Sequence, residues 1–151
     1  MLLSCICGPR AALAQRVATV TIPAGVSFSV QDVSRSVTGT PGPFRVTFNS
    51  VLNLSKSEKI VISVKADSAN FTGPGTTMIP ASKVSWTAVV VGGGNATAGT
   101  LSSAAYSQVY QSNANVKSGE VDLTWSLASI AAAGLRSGTH TLTVRWRLEA
   151  L

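Results

Sequence analysis

Two segments in the last third of the sequence alternate strictly between apolar and polar residues. In residues 141–148 the apolar positions are Leu142, Val144, Trp146 and Leu148. In residues 121–127 they are Val121, Leu123, Trp125 and Leu127. A period of two residues is typical of a β-strand that has one face on a core and the other in water. Both segments are therefore predicted to be half-buried strands.

The rest of the chain has the same pattern, and no segment sustains the 3.6-residue period of an amphipathic helix. With these two included, strands are predicted at residues 17–22, 26–31, 44–49, 60–65, 84–91, 100–102, 106–111, 120–128 and 139–148. Parallel sheets need long crossovers, which this sequence lacks. The prediction is an all-β fold, an antiparallel two-sheet Greek-key sandwich of immunoglobulin-like type with about seven to nine strands. A closed barrel is the less favoured alternative.

Breaker residues predict where these strands stop. Residues 34–43 are rich in Ser, Thr, Gly and Pro and are predicted to be a loop, and the glycine run at residues 92–95 is predicted to end the preceding strand. Residues 130–133 could form one helical turn. Pro23 and Gly25 separate the first two predicted strands, because proline lacks the N–H that a sheet ladder needs.

The first 14 residues differ from the remainder. An apolar opening is followed by Ala12-Leu13-Ala14, which is similar to the end of a secretory signal peptide. The opening lacks basic residues, and a truncated leader would explain this departure. Cleavage there would remove Cys5 and Cys7 and leave residues 15–151 as a single domain without thiols. The predicted location is secreted or at a cell surface, in a bacterium.

Composition limits the classes of partner. The net charge is +6, but the basic residues are scattered and do not form the clustered patch of a nucleic-acid-binding protein. No apolar run approaches the roughly 20 residues of a membrane-spanning helix. We therefore expect neither a nucleic-acid partner nor a membrane span.

Residues with catalytic or metal-binding potential are few. His140 is the only histidine, and it is expected to be an exposed residue at the rim of the sandwich. Glu120 and Asp122 share one face of a predicted strand and are expected to be cross-strand partners of Arg145 or Arg147. Asp67 lacks the carboxylate spacing of a calcium loop. The sequence predicts no catalytic residue, no metal site and no cofactor, and thus no enzyme.

Aromatic residues are the remaining candidates for ligand contact. Trp86, Trp125 and Trp146 are in phase with the apolar residues of their strands, so they are expected in the core. Tyr106 and Tyr110 are less clearly in phase. They are the predicted contacts if the domain binds a polysaccharide.

The whole pattern resembles secreted bacterial surface sandwiches, including pilin and fimbrial subunits. The resemblance rests on the Ala12-Leu13-Ala14 leader end, the extended residues 17–31, the Gly/Ser/Thr-rich loops and the terminal strand at residues 139–148. It implies donor-strand assembly, in which an extended segment completes the sheet of a neighbour. The predicted exchange residues are Val20, Ile22, Val26, Phe28 and Val30; pairing of this segment within its own domain is the favoured alternative.

These observations give a functional expectation. The chain is predicted to be a non-enzymatic structural or adhesive domain that is secreted or exposed at a cell surface, either free-standing or assembled with copies of itself through its N-terminal strand. The alternative is a carbohydrate-binding module of an extracellular protein.

Overall fold

The computed structural model describes residues 19–49, 51, 53–130 and 135–151. The predicted leader at residues 1–14 lies outside these residues, as does most of the predicted helical turn at residues 130–133. Among the described residues, no helix is long and apolar enough to cross a membrane.

In the described parts of the chain, ten strands form two antiparallel sheets. Sheet A contains β1 (Thr19–Thr21), β2 (Val37–Thr38), β3 (Phe44–Asn49), β5 (Val84–Gly92), β7 (Gly99–Thr100) and β9 (Gly119–Leu127). Sheet B contains β4 (Ile60–Ala66), β6 (Gly94–Ala96), β8 (Ser107–Ser112) and β10 (Val144–Ala150). A short 3-10 helix spans Ala81–Lys83. The predicted all-β sandwich is confirmed.

From β3 onward, consecutive strands alternate between the two sheets. The order in sheet A is β1-β3-β9-β5-β7, with β2 also paired to β9, and the order in sheet B is β10-β4-β8-β6. Every connection from β3 to β10 therefore crosses the sandwich. This is closer to the double Greek key of a jelly roll than to the hairpin neighbours of an immunoglobulin domain.

Inward-facing residues of both sheets form one core. In β9 the alternate residues Val121, Leu123, Trp125 and Leu127 are all buried, as the sequence predicted. The inward set of β10 is half-buried and packs against the same core. Trp146 of β10 stacks on Phe44 of β3, with ring centroids 5.9 Å apart. The prediction that the three tryptophans face the core is confirmed, although Trp146 is covered only in part.

The register of β8 shows why its sequence pattern was ambiguous. Ile62 of β4 pairs with Tyr110, but the next residue, Ser63, pairs with Gln108, so Val109 is an extra residue in β8. A β-bulge of this kind changes which residues face inward. Val109 and Tyr110 are consecutive and both fully buried.

Several predicted boundaries are wrong. Residues 26–31 form no strand, and the last strand begins at Val144 rather than near residue 139. The structure instead places β2 inside the predicted loop at residues 34–43, and β6 begins within the glycine run. Strands of two or three residues are too short to show alternation, and their number raises the strand total above the predicted range.

Candidate functional site

A large cavity lies between the two sheets. Its volume is about 850 Å³, and its walls include Phe44 and Trp125 from sheet A and Val144 and Trp146 from β10. We call this space the inter-sheet cavity. Charged groups are nearly absent from its lining: among the described residues it has the Arg136 side chain and no carboxylate.

Residues 22–31, here called the N-terminal segment, cover part of this cavity. Val26, Phe28 and Val30 are half-buried and line or adjoin the core, while the residues between them are exposed. This alternation is that of a strand. Among the described residues, the only ladder-type contact in the segment is the isolated bridge of Ser27 and Thr40, whose backbone groups exchange two hydrogen bonds of 2.9 Å.

Gly39 provides the space in which this segment lies. A side chain at Gly39 would overlap the Val26 side chain and would come within 3.1 Å of the Phe28 ring. The Gly39 amide donates to the Trp125 carbonyl at 2.8 Å, which fixes the glycine against β9. The segment is therefore held mainly by its apolar side chains. Gly39 leaves the space in which two of them, Val26 and Phe28, pack.

On the other side of the cavity, one edge of β10 has no strand partner among the described residues. Leu151 and Lys59 exchange both backbone hydrogen bonds, at 2.9 and 2.8 Å, and the register continues from there to Val144 and Ala66. In an antiparallel pair, alternate residues direct their N–H and C=O groups to opposite sides. Val144, Trp146, Leu148 and Ala150 therefore direct theirs away from β4. Within the described residues, β10 pairs with β4 alone.

The five predicted exchange residues lie in two different settings. Val20 is in β1, opposite Phe48 of β3, and is 36% exposed. The other four, Ile22, Val26, Phe28 and Val30, belong to the N-terminal segment and pack on the core without a sheet ladder. Within one chain, only the first part of the predicted strand pairs in a sheet.

The two predicted ligand-contact tyrosines differ in exposure. Tyr106 is half-buried, with the Arg147 guanidinium carbon 4.3 Å from its ring centroid. Tyr110 is 0% exposed, so the prediction that its ring is accessible to a sugar is wrong. Its hydroxyl donates to the Gly93 carbonyl at 2.9 Å, and burial raises the pKa of this phenol. The bulge at Val109 turns the ring inward, and no residue pattern marks that bulge.

Ion pairs on the outer faces differ from the predicted ones. Asp122 accepts two hydrogen bonds of 2.7 Å from Arg45 on the neighbouring strand β3, and Glu120 lies 3.4 Å from the same guanidinium. Arg145 instead donates to Asp67 at 2.6 Å. The predicted pairing of Glu120 and Asp122 with Arg145 or Arg147 is wrong because β9 and β10 lie in different sheets.

These contacts set the charge of the carboxylates. The hydrogen bond from Arg45 lowers the pKa of Asp122, and the hydrogen bond from Arg145 lowers the pKa of Asp67. Both groups are thereby held as carboxylates against arginines. Neither is arranged as a general acid.

His140 lies beside the rim of the inter-sheet cavity. Its Nε2 is 3.1 Å from the Arg136 carbonyl oxygen, and the side chain is half-buried rather than fully exposed. In the part of the chain that the structure describes, no three His, Cys, Asp or Glu side chains converge as metal ligands would.

Comparisons with protein-family models, with curated proteins and with solved structures find no match for this chain.

Proposed function

We propose that this protein is a non-enzymatic structural domain of a secreted or cell-surface assembly, and that copies of it join by exchanging the N-terminal segment. The observation that carries the proposal is the binding mode of that segment. It is extended and places alternate apolar side chains at the cavity, yet one bridge at Ser27 and Thr40 is its only ladder contact with the rest of the described chain.

Exchange of such a segment conserves its interactions. Val26, Phe28 and Val30 from a second copy would meet the same walls, and Thr40 would offer the same pair of backbone hydrogen bonds. Swapping an identical element between protomers is a low-cost route to oligomers for this reason. Once displaced, the segment leaves the apolar walls of its own cavity uncovered, which favours acceptance of a replacement.

The free edge of β10 adds a second feature that suits assembly. An unpaired strand edge is a template for another extended chain. The outer face of β10 carries the polar residues Arg145, Arg147 and Glu149.

The proposal that the domain acts by association rather than catalysis is supported by its polar residues. The carboxylates of Asp67 and Asp122 are paired with arginines, and His140 contacts a backbone carbonyl rather than a nucleophile. A surface role agrees with the leader-like residues 1–14.

A disulfide lock tests the exchange. Ser27 and Thr40 are a hydrogen-bonded antiparallel pair, for which the Cα separation of about 5.5 Å lies within the range that a disulfide can bridge. Ser27→Cys/Thr40→Cys, in a chain with Cys5 and Cys7 replaced by serine, would fix the segment to its own domain. Thr72→Cys/Thr141→Cys is the matched control, since that pair has the same bridge geometry outside the segment.

The readout is light-scattering mass across a range of protein concentrations, with electron microscopy for filaments. We expect the mass of the wild type, of the oxidised Thr72→Cys/Thr141→Cys control and of the reduced Ser27→Cys/Thr40→Cys protein to increase with protein concentration. The oxidised Ser27→Cys/Thr40→Cys protein should stay monomeric. The proposal would be refuted if the mass of the oxidised Ser27→Cys/Thr40→Cys protein increased with concentration as the control does. It would also be refuted if the wild type were monomeric at every concentration.

A further inference from the structure

The edge of β10 that faces away from β4 lacks most of the features that keep a strand edge from pairing with another chain. Natural proteins protect such edges with very short strands, proline, bulges or charges. β10 has 7 residues, contains no proline and keeps an unbroken register with β4 from Val144 to Ala150. Among the described residues, no strand pairs with its other side. Charge is therefore the remaining control on what this edge can accept.

The charges of β10 form a cation followed by an anion along the strand. Arg145 is held by Asp67, with 2.6 Å between the guanidinium and the carboxylate. Arg147 and Glu149 share the outer face, and their charged groups are 3.0 Å apart. An antiparallel copy of this strand has the reverse order. Its anion can therefore lie opposite the cation of the first strand, and its cation opposite the anion.

We propose that β10 pairs antiparallel with β10 of a second copy, in the register that places Leu148 opposite Leu148. Arg147 of each copy then lies opposite Glu149 of the other, because the contact is the same from both sides. On the inner face, Trp146 lies opposite Ala150, so a large side chain meets a small one. The backbone groups that Trp146, Leu148 and Ala150 direct away from β4 find their partners in the second copy.

Charge selects this register over its neighbours. Moving the second strand by two residues in one direction would place Arg147 opposite Arg147, and moving it by two in the other direction would place Glu149 opposite Glu149. Like charges directly opposite each other destabilise an antiparallel pair. A shift of one residue would set apolar inner positions opposite charged outer ones. β10 is therefore most complementary to itself with Leu148 at the centre.

This pairing rests on the proposed exchange of the N-terminal segment. A contact along a single strand edge is small beside the roughly 1,200–2,000 Å² that a stable interface buries. We expect it only between copies that exchange has already brought together, where their effective concentration is high. The oxidised Ser27→Cys/Thr40→Cys protein, which cannot exchange, is accordingly expected to remain a monomer.

Two single-cysteine proteins test the pairing, both with Cys5 and Cys7 replaced by serine. One carries Arg147→Cys and the other Glu149→Cys, and they are mixed at a concentration at which light scattering shows assembly, then mildly oxidised. In the proposed register these two positions are directly opposed, with Cα atoms about 4.5 Å apart, a separation that a disulfide can bridge. Two copies of the same variant would place their cysteines on a diagonal of about 7–8 Å, which is too long. We expect the mixed disulfide to exceed both same-variant disulfides several-fold.

A mixture of Arg145→Cys and Glu149→Cys is the matched control. Both residues lie on the same face of the same strand, but the proposed register sets them diagonally, so little mixed disulfide is expected. Equal yields in the two mixtures, or a higher yield in the control, would overturn the inference. It would also be overturned if Glu149→Cys were linked to Ser29→Cys in place of Arg147→Cys, because the N-terminal segment would then occupy the edge.

The light-scattering mass of the same mixtures before oxidation keeps this inference apart from the proposed exchange. A mass that increases with concentration, without the disulfide between residues 147 and 149, would refute the pairing of β10 and leave the exchange standing. A mass that stays at the monomer value would refute the exchange, and the pairing that depends on it.

Discussion

At the scale of single residues, buried polar groups decide which positions tolerate change. Tyr110 is the clearest case, because a fully buried phenol keeps its hydroxyl paired with the carbonyls of Gly92 and Gly93. Gly94 and Gly119 make room for it, since a side chain at either position would come within 2.7 Å of the hydroxyl. The tyrosine is thus a fixed part of the core beneath sheet B.

Removing only this hydroxyl should therefore have a measurable cost. We expect Tyr110→Phe to lower the free energy of unfolding by about 1 kcal/mol, through loss of one buried hydrogen bond. Tyr106→Phe is the control, because Tyr106 is only half-buried, and its free energy of unfolding should change by no more than about 0.5 kcal/mol. Urea unfolding of the three proteins measures both, and equal stability of all three would contradict this account of Tyr110.

The pair of Arg45 and Asp122 makes stability depend on pH. Because the pKa of Asp122 is lowered in the folded protein from its usual 3.8, the stabilisation is complete above that value and is lost as the pH falls through the lower folded pKa. We expect Asp122→Asn to be less stable than wild type at pH 7 and to lose less stability on acidification.

A double-mutant cycle supplies the control for this pair. In an Arg45→Gln background, Asp122→Asn should change stability and its pH dependence much less than it does in the wild type. Urea unfolding measured from pH 7 down into the acid range gives all four corners of the cycle. Equal effects of Asp122→Asn in both backgrounds would show that the pair of Arg45 and Asp122 is not the source of the pH-dependent stability.

At the scale of strands and segments, alternation predicted the long strands and failed for the irregular ones. β5, β9 and β10 each have a clean inward set because one face lies on the core over seven to nine residues. β8 contains a bulge, and β2 and β6 are too short for a period to be visible. Partners across sheets depend on topology, which explains the wrong pairing predicted for Glu120 and Asp122.

The site was predicted in part for the same reason. The apolar residues of the N-terminal segment could be recognised by their spacing. What alternation could not show is that this segment contacts the core without a ladder, because hydrogen bonding depends on where Thr40 and Gly39 lie.

Gly39 gives a test of how the segment is held. We expect Gly39→Ala to displace Val26 and Phe28 and so to raise amide hydrogen exchange in residues 22–31, at the bridge amide of Ser27 in particular, at least several-fold. Gly25→Ala is the matched control, because a methyl group there meets no atom within 4 Å. Faster amide hydrogen exchange in both variants, or in neither, would contradict the proposed packing of the N-terminal segment against Gly39.

At the scale of the whole molecule, the two sheets enclose a cavity whose cover belongs to the N-terminal part of the same chain. In the part of the chain that the structure describes, the cover is attached by apolar side chains and one bridge, and one edge of β10 across the cavity has no strand partner. Such a domain can be closed by its own segment or by that of a neighbour with the same contacts. We propose that, in the assembly, the segment of a neighbouring copy closes each domain.

Mixed single-cysteine proteins measure this arrangement directly. One preparation carries Ser27→Cys and the other Thr40→Cys, both with Cys5 and Cys7 replaced by serine, and the two are mixed under mild oxidation. A mixture of Thr72→Cys and Thr141→Cys is the control. We predict that the first mixture forms intermolecular disulfides between the two different proteins far more than the control does. Equal cross-linking in both mixtures would show that the segment stays on its own domain.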